Sequence, residues 1–575
     1  MINMKHLEKR PHLRQFLPLC VTALLLCMPH QAALAAVTAL LDSGAILKQI
    51  QAPSMRLDSP KDSGLFLDQD IIGIPLRTKP FAVKRIDITG NKEVDSAALH
   101  ALVVDSEGKN LTLAQLNQLA VRITDYYRRK GQPLVRAIVP PQVMRAGVVQ
   151  ITVIVARYGR VTLNNRTEVR GALLQSTLAP VNRGQDITQA ELDRALLLLS
   201  DVPGIAITAT LKPGESVGTS DLLVNATDMP RVYGNVVLDN FGNRYTGHER
   251  VGVNLSLLNP LKLNTGDALT LNLLTSVEQM RYGRLAYESL LNGQGTRIGG
   301  AYSALHYRLG GDVAPLQANG SAQVASLWVR QPMMRSRDIN LYGTLQHDRL
   351  QLRDHIDVSD TKTDRHMANW TLSVLGDARD GLLSGGNNNW GLSWTQGRLG
   401  FDDAAAQSAN TASVNTQGSF TKWTASLSRA QRLSTDTSLY LSVSGQRAST
   451  NLDSSQKMSL GGPYAVRAYD SGAASGDNAQ LTSAEIRQTL SQPWGGQLTG
   501  IAFIDSARVT LNKNLWPGAS AQNNAALTGA GLGLHWTGPQ QWMARAFMAA
   551  PVGTSTTAIG SRRATRGWLE TRKAF

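Results

Sequence analysis

Residues able to carry catalysis are few and scattered in this chain of 575 residues. Beyond residue 30 the histidines are His100, His248, His306, His347, His355, His366 and His535. None stands in the His-Glu-x-x-His spacing that puts two imidazoles and a general base on one helical face. There is no P-loop, and no nucleophile elbow on a strand-to-helix turn. The run Gly529-Ala530-Gly531-Leu532-Gly533 has the glycine density of a phosphate cradle, but no helix follows it and no lysine stands at the required spacing. Glycines within a strand more often make room for another backbone. Cys20 and Cys27 are the only thiols. Neither an enzyme nor a cofactor or metal site is expected.

Both cysteines fall in a segment laid out as a secretory signal: basic Lys5, Lys9, Arg10 and Arg14, an apolar run from Phe16 to Met28, then Ala33-Leu34-Ala35. The expected signal covers residues 1–35, with Ala33 and Ala35 as the small residues of the cleavage site. Its apolar run is short of the roughly 20 residues a spanning helix needs. The mature chain then has no cysteine, and so no disulfide and no thiolate ligand, although it enters an oxidising compartment. The signal carries three of the fifteen net positive charges. The remaining lysines and arginines form no basic run, and an exported chain rarely meets nucleic acid, so nucleic acid is not an expected partner.

The rest of the chain divides by pattern. Residues 36–51 form a short unit in which Leu40, Leu41, Ile46, Leu47 and Ile50 fall near helical spacing, predicting an amphipathic helix over 37–51. Pro53, Pro60, Pro75 and Pro80 mark residues 52–80 as an extended linker. Residues 81–156 read as strand, helix, helix, strand, strand, and 157–229 repeat that order, with Asp186-Ile187-Thr188 capping a helix over 189–200 and Pro203-Gly204 ending it. From 230 to 575 the texture changes to alternating strands: Val251, Val253, Leu255 and Leu257; Trp370, Leu372 and Val374; Trp423, Ala425 and Leu427. No window there reaches helical transmembrane length, but a membrane barrel alternates lipid-facing and lumen-facing residues and hides from such windows. At about 10 residues per strand and similar connections, the region accommodates roughly 16 strands. A soluble β-helix or propeller is the alternative. Strand length and a terminal strand 566–575 ending on Phe575 favour the barrel.

At this level of detail the chain resembles the two-partner secretion transporters of the ShlB/FhaC/HecB (TpsB) type, within the Omp85 superfamily. In the first repeat the resemblance rests on Tyr126-Tyr127, Gly131 and Ile138-Val139-Pro140-Pro141-Gln142; in the second, on Leu196 to Gly204, Pro213-Gly214 and Ser220-Asp221-Leu222. In the barrel it rests on Leu238-Asp239-Asn240-Phe241-Gly242, on Gly461-Gly462-Pro463-Tyr464-Ala465-Val466-Arg467-Ala468-Tyr469, and on Ala502 to Val509 followed by Gly529 to Gly533. The family carries Val-Arg-Gly-Tyr/Phe where this chain has Val466, Arg467, Ala468 and Tyr469. An alanine adds a Cβ, so a left-handed backbone at that position would strain the loop tip.

The resemblance implies α+β POTRA repeats in the periplasm of a Gram-negative bacterium, followed by an antiparallel β-barrel of about 16 strands in the outer membrane. It implies a pore that captures an unfolded partner exoprotein, an adhesin, a cytolysin or a haem-binding protein, and secretes or also activates it at the cell surface. Outer-membrane lipids, periplasmic chaperones and the barrel assembly machinery are the further partners expected. An assembly factor that inserts other barrels is the alternative, but such factors usually carry three or more POTRA repeats. The Val466–Tyr469 motif is expected at the tip of a loop folded into the lumen, against inner-wall partners Phe503, Asp505, Gly529 and Gly531. In that context Asp505 is the carboxylate expected to grip Arg467 through two hydrogen bonds. The helix over 37–51 is expected to plug the pore, or else to pack on its periplasmic side. Each repeat offers a sheet edge to which a client could add a strand.

Overall fold

The computed structural model describes residues 41–50, the backbone of 65–67, residues 80–553 apart from 92, 93, 133, 144, 145 and 278, and residues 565–575. The expected signal with Ala33 and Ala35, residues 36–40 and nearly all of the expected linker 52–80 lie outside the described residues.

Two elements precede the first compact unit: helix α1 (Ser43–Ile50) and a three-residue strand, β1 (Leu65–Leu67). The first unit is then built from β2 (Phe81–Val83), β3 (Arg85–Thr89), α2 (Ser96–His100), β4 (Lys109–Leu111), α3 (Leu113–Arg129), β5 (Arg136–Ile138) and β6 (Val148–Ile154). Thr112 and Gln115 cap α3 reciprocally, side chain to backbone in both directions. The helix buries Leu116, Leu119, Ile123 and Tyr127 against the sheet, in the order β3-β6-β5. Glu107 accepts the backbone N–H of Ile86 at 2.7 Å, and that bond holds its carboxyl below the usual range.

The second unit repeats the order with β7 (Arg157–Arg166), α4 (Gly171–Thr177), α5 (Gln189–Ser200), β8 (Ile205–Pro213) and β9 (Thr219–Asp228). Leu192, Leu196 and Leu199, at i, i+4 and i+7 on α5, are fully buried against its sheet. The two sheets differ at one edge. In the second unit the order is β1-β8-β9-β7, so β1 runs parallel along the outer side of β8, Leu65 opposite Ala209 and Leu67 opposite Leu211. In the first unit the corresponding edge, β5, carries no further strand among the described residues.

The remainder is a closed antiparallel barrel of sixteen strands. Eleven come first: β10 (Val232–Asp239), β11 (Arg250–Leu258), β12 (Ala268–Ser276), β13 (Met280–Leu290), β14 (Arg297–Arg308), β15 (Ala318–Arg335), β16 (Ile339–Ile356), β17 (Thr361–Asp380), β18 (Gly386–Phe401), β19 (Gly418–Arg432) and β20 (Thr437–Ala448). A long loop, 449–477, carries the small pair β21 (Met458–Leu460) and β22 (Ala474–Gly476). Five more strands complete the wall: β23 (Asn478–Ser491), β24 (Gln497–Thr510), β25 (Asn524–Thr537), β26 (Trp542–Pro551) and β27 (Arg566–Ala574). Each strand alternates. Leu345, Trp370, Leu372, Trp423 and Leu427 are exposed on the outer wall, while inside Asn272 donates to Asn254 and Asn254 to Asn235, a polar ladder along three strands. β10 closes on β27 from Asn235 opposite Ala574 to Asp239 opposite Glu570, and Gly234 and Phe575 exchange backbone hydrogen bonds beyond it. Among the described residues no helix is long and apolar enough to cross a membrane.

The second α+β unit is fastened to the barrel mouth. Arg335, almost wholly buried, makes two hydrogen bonds to the Asp201 carboxylate, at 2.7 and 2.9 Å, and Arg337 meets Asp193 at 2.8 Å.

Candidate functional site

The loop 449–477 turns back into the barrel. Gly461 and Gly462 have φ of 88° and 93°, which only glycine adopts cheaply, and a Cβ on Gly461 would strike the Asp470 carbonyl. The tip tightens as Gly462 N–H donates to Tyr469 and Tyr469 N–H to Val466. Arg467 therefore points at the inner wall. Its Nε and Nη2 donate to the two Asp505 oxygens at 2.8 and 2.7 Å, and its backbone N–H reaches the same carboxylate at 3.1 Å. Nη1 meets Glu485 at 2.8 Å, and Ser483 stands between the groups, accepting from Arg467 and donating to Asp505. The guanidinium lies 3.4 Å from the centroid of Phe503, with Phe547 beyond. Trp568 of the last strand donates to the Arg467 carbonyl at 2.7 Å. Arg467 and Asp505 are both buried, so the pair is a fixed fork rather than a solvated charge.

Val466, Arg467, Ala468 and Tyr469 are thus brought together with Phe503, Asp505, Gly529 and Gly531. Val466 is buried among Leu460, Val509 and Leu527, and Tyr469 reaches the Thr528 carbonyl. The strain expected at Ala468 does not arise. Its backbone lies outside the left-handed region, and its methyl packs against Gly529, where a Cβ would overlap it. Gly531 likewise leaves space for the Phe503 ring. Gly529→Ala should therefore unseat the tip and lower function by several fold, and Ala468→Gly in the same chain should restore it. Measured client export for the single and double variants checks this, and absence of rescue would mean that Gly529 matters for another reason.

A second cluster sits inside the same lumen, at the end remote from the α+β units. Leu41, Ile46 and Leu47 of the α1 segment pack against inward residues Met280, Leu305, Leu350, Leu352 and Met367. Asp42 caps the helix through Ala45 N–H and binds Arg365 at 2.9 Å and Ser454 at 2.5 Å. Arg365 also meets Asp354 at 2.5 Å and Asp453 at 2.6 Å. Asp354 accepts from the backbone and hydroxyl of Ser43 and from Tyr307. A Cβ on Gly44 would strike Ser454 and Ser455, and one on Gly472 would overlap the Gln49 amide, so the helix and the long loop touch at both ends of α1. The helix is described over eight residues, about 12 Å, shorter than the 15 residues expected from periodicity.

Glu485, Ser483, Trp568 and the Arg365 cluster were not legible from residue types. Strand alternation offers a signal for Glu485, which shares the inward parity of Ser483. Gly214-Glu215-Ser216-Val217-Gly218 does spell the elbow pattern, but it forms the β8–β9 hairpin, with no helix following and Ser216 bonded to Thr219. Among the described residues no group of His, Cys, Asp and Glu is placed to hold a metal.

Comparison with known proteins matches residues 218–536 to the family model for haemolysin secretion/activation protein ShlB/FhaC/HecB, and residues 81–155 to the ShlB-type POTRA domain. The chain is 28% identical over 488 residues to the heme/hemopexin transporter protein HuxB of Haemophilus influenzae, covering 84% of this chain and 85% of that one. It is 25% identical over 443 residues to the outer membrane transporter CdiB of Dickeya dadantii, covering 71% and 74%. Its backbone superposes on the solved structure of CdiB from Escherichia coli with a TM-score of 0.67 at 19% identity, covering 88% and 93%, a likeness of fold.

Proposed function

The chain belongs to the haemolysin secretion/activation family ShlB/FhaC/HecB, and from that premise we propose how it takes up and releases its cargo. It is an outer-membrane transporter of two-partner secretion, with its POTRA units in the periplasm. In our reading an unfolded partner exoprotein adds a strand to the β5 edge of the first unit. The observation that carries this is the difference between the two sheets: among the described residues no strand pairs with the outer edge of β5, where a client would displace only the Ala137 N–H bond to the Thr124 hydroxyl, whereas the matching edge β8 is covered by β1. Main-chain hydrogen bonds along a bare edge give affinity without demanding a particular side-chain sequence. An exposed edge is otherwise an aggregation hazard, which argues that it has a use. From β5 the client passes the barrel mouth, where Arg335 and Asp201 hold the second unit in place, and enters the lumen once α1 has left. The outer membrane has neither ATP nor a proton gradient, so folding of the client outside the cell supplies the drive. The extent of the match to relatives named heme/hemopexin transporters makes an exoprotein concerned with haem or hemopexin the first candidate client.

Deleting 81–155 should bring export of a co-expressed client to background while single-channel conductance in planar bilayers stays at the level of the full chain. Export that persists in that variant would refute capture by the first unit.

A further inference from the structure

Several arginines that face the lumen find carboxylates: Arg250 meets Asp239, Arg297 and Arg330 share Glu288, and Arg545 meets Glu570. Several on the outer wall do not, Arg281, Arg349, Arg398, Arg447 and Arg508 among them, and of these Arg349 and Arg398 share one cross-strand row. Across β15–β19 the cross-strand register can be read row by row toward the extracellular end. One row is Val329, Leu345, Leu372, Trp394 and Trp423, wholly apolar. Two rows further out, on the same face, stand Ala325, Arg349, Ala368, Arg398 and Ser419. Arg349 and Arg398 are exposed, and neither has a carboxylate partner among the described residues. Of the acids further out along these strands, Asp364 lies 4.0 Å from Arg353 and Asp402 2.5 Å from His366.

We propose that Arg349 and Arg398, flanking Ala368 on the outer wall, bind a phosphate of a phosphorylated glycolipid in the outer leaflet. The inference rests on the outer-membrane placement of the barrel. The two arginines stand one strand to either side of Ala368, so their Cα atoms are about 10 Å apart. Side chains of that length are long enough to meet over Ala368, whose methyl is small enough to leave room between them. A guanidinium fork matches the oxygens of a phosphate as it does those of a carboxylate. The height fits as well: across β15–β19 the apolar row marks hydrocarbon, Trp370 and His347 between the rows form a tilted ring pair with centroids 4.4 Å apart, and the arginines follow where headgroups begin. Acyl chains of the same lipid would lie on Leu345 and Leu372 below. Where Arg250 and Arg545 in the lumen meet carboxylates of the barrel itself, here the acid comes from the membrane.

The test uses the full chain purified in detergent and offered bisphosphorylated lipid A, the same glycolipid without phosphate, or inorganic phosphate, with retained lipid read by native mass spectrometry. The wild type should retain lipid A, and R349S/R398S should retain it about tenfold less or worse, as expected for the loss of two charge-assisted contacts. R349K/R398K should fall between, having charge without the fork. Equal retention by wild type and R349S/R398S would overturn the proposal. So would equal retention of the phosphate-free glycolipid, or displacement of lipid A by an equimolar amount of inorganic phosphate, which would mark a plain anion site. Heat-dependent mobility on gels verifies that each variant keeps a folded barrel. Client export measured in the same strains separates the two readings: loss of lipid with export intact supports the lipid site, and loss of export with lipid still retained at wild-type level overturns the site's assignment to these arginines.

Discussion

Arg467→Ala is expected to reduce client export by more than about tenfold while the barrel still folds and inserts. The substitution removes the fork to Asp505, the contact to Glu485 and the ring contact with Phe503 at once. It leaves the buried Asp505 carboxylate with Ser483 but no cation, while Glu485 keeps Arg487 at 2.6 Å. Stranding a buried charge in this way costs about 3–5 kcal/mol. That cost falls on the seat of the loop, because the outward residues of β23 and β24 touch none of these groups. The loop tip should therefore detach while the lipid-facing wall persists. Arg467→Lys separates charge from geometry: it keeps a cation near Asp505 but cannot donate two parallel bonds, so its export should lie between the wild type and alanine. Client in the culture medium, set against heat-dependent mobility of the barrel, checks both variants. Full export by Arg467→Ala at normal expression would remove the pair from the mechanism.

Deleting residues 37–51 should raise single-channel conductance several fold and leave export largely intact. A helix is about 10 Å across with its side chains, a large part of the lumen of a sixteen-stranded barrel. α1 packs against inward residues of β13, β14, β16 and β17. Its N-terminal end is held by Arg365, Asp354 and Ser454. Arg365→Ser should loosen the helix without removing it, giving brief wide openings where the deletion gives lasting ones. Unchanged conductance in the deletion would mean that α1 does not obstruct ion flow.

How much of this could be read beforehand depends on how far apart in sequence the cooperating residues lie. The alternation of Phe503, Asp505 and Ala507 places all three on one face of a strand, and the Val466–Tyr469 motif names the loop that meets them, so the Arg467–Asp505 pair was within reach. Glu485 was legible only in part: alternation gives it the inward parity of Ser483, but its place opposite Phe503 depends on the register of β23 on β24. The Arg365 cluster joins residues 42, 354, 365 and 453, and no local pattern connects them. In the sequence, Ala468 is a departure at one position. The structure shows a pair of positions, since the methyl occupies space that Gly529 leaves open. Strand β1 lies in a stretch whose prolines read as a linker, and three residues are too few to show a period. Its partner strand, not its own sequence, makes it a strand.

That strand also limits where the helix can go. Leu65–Leu67 is held on β8, and fifteen peptide steps join it to Ile50, a reach of at most about 50 Å however the chain between is arranged. A helix confined to a sphere of that radius has a local concentration on the order of millimolar. Reclosure after a client has passed is then a first-order event, independent of how many transporters the cell carries. For a helix that leaves and returns as proposed, the stopper is on a leash, and insertions into 51–64, which would lengthen it, should slow resealing.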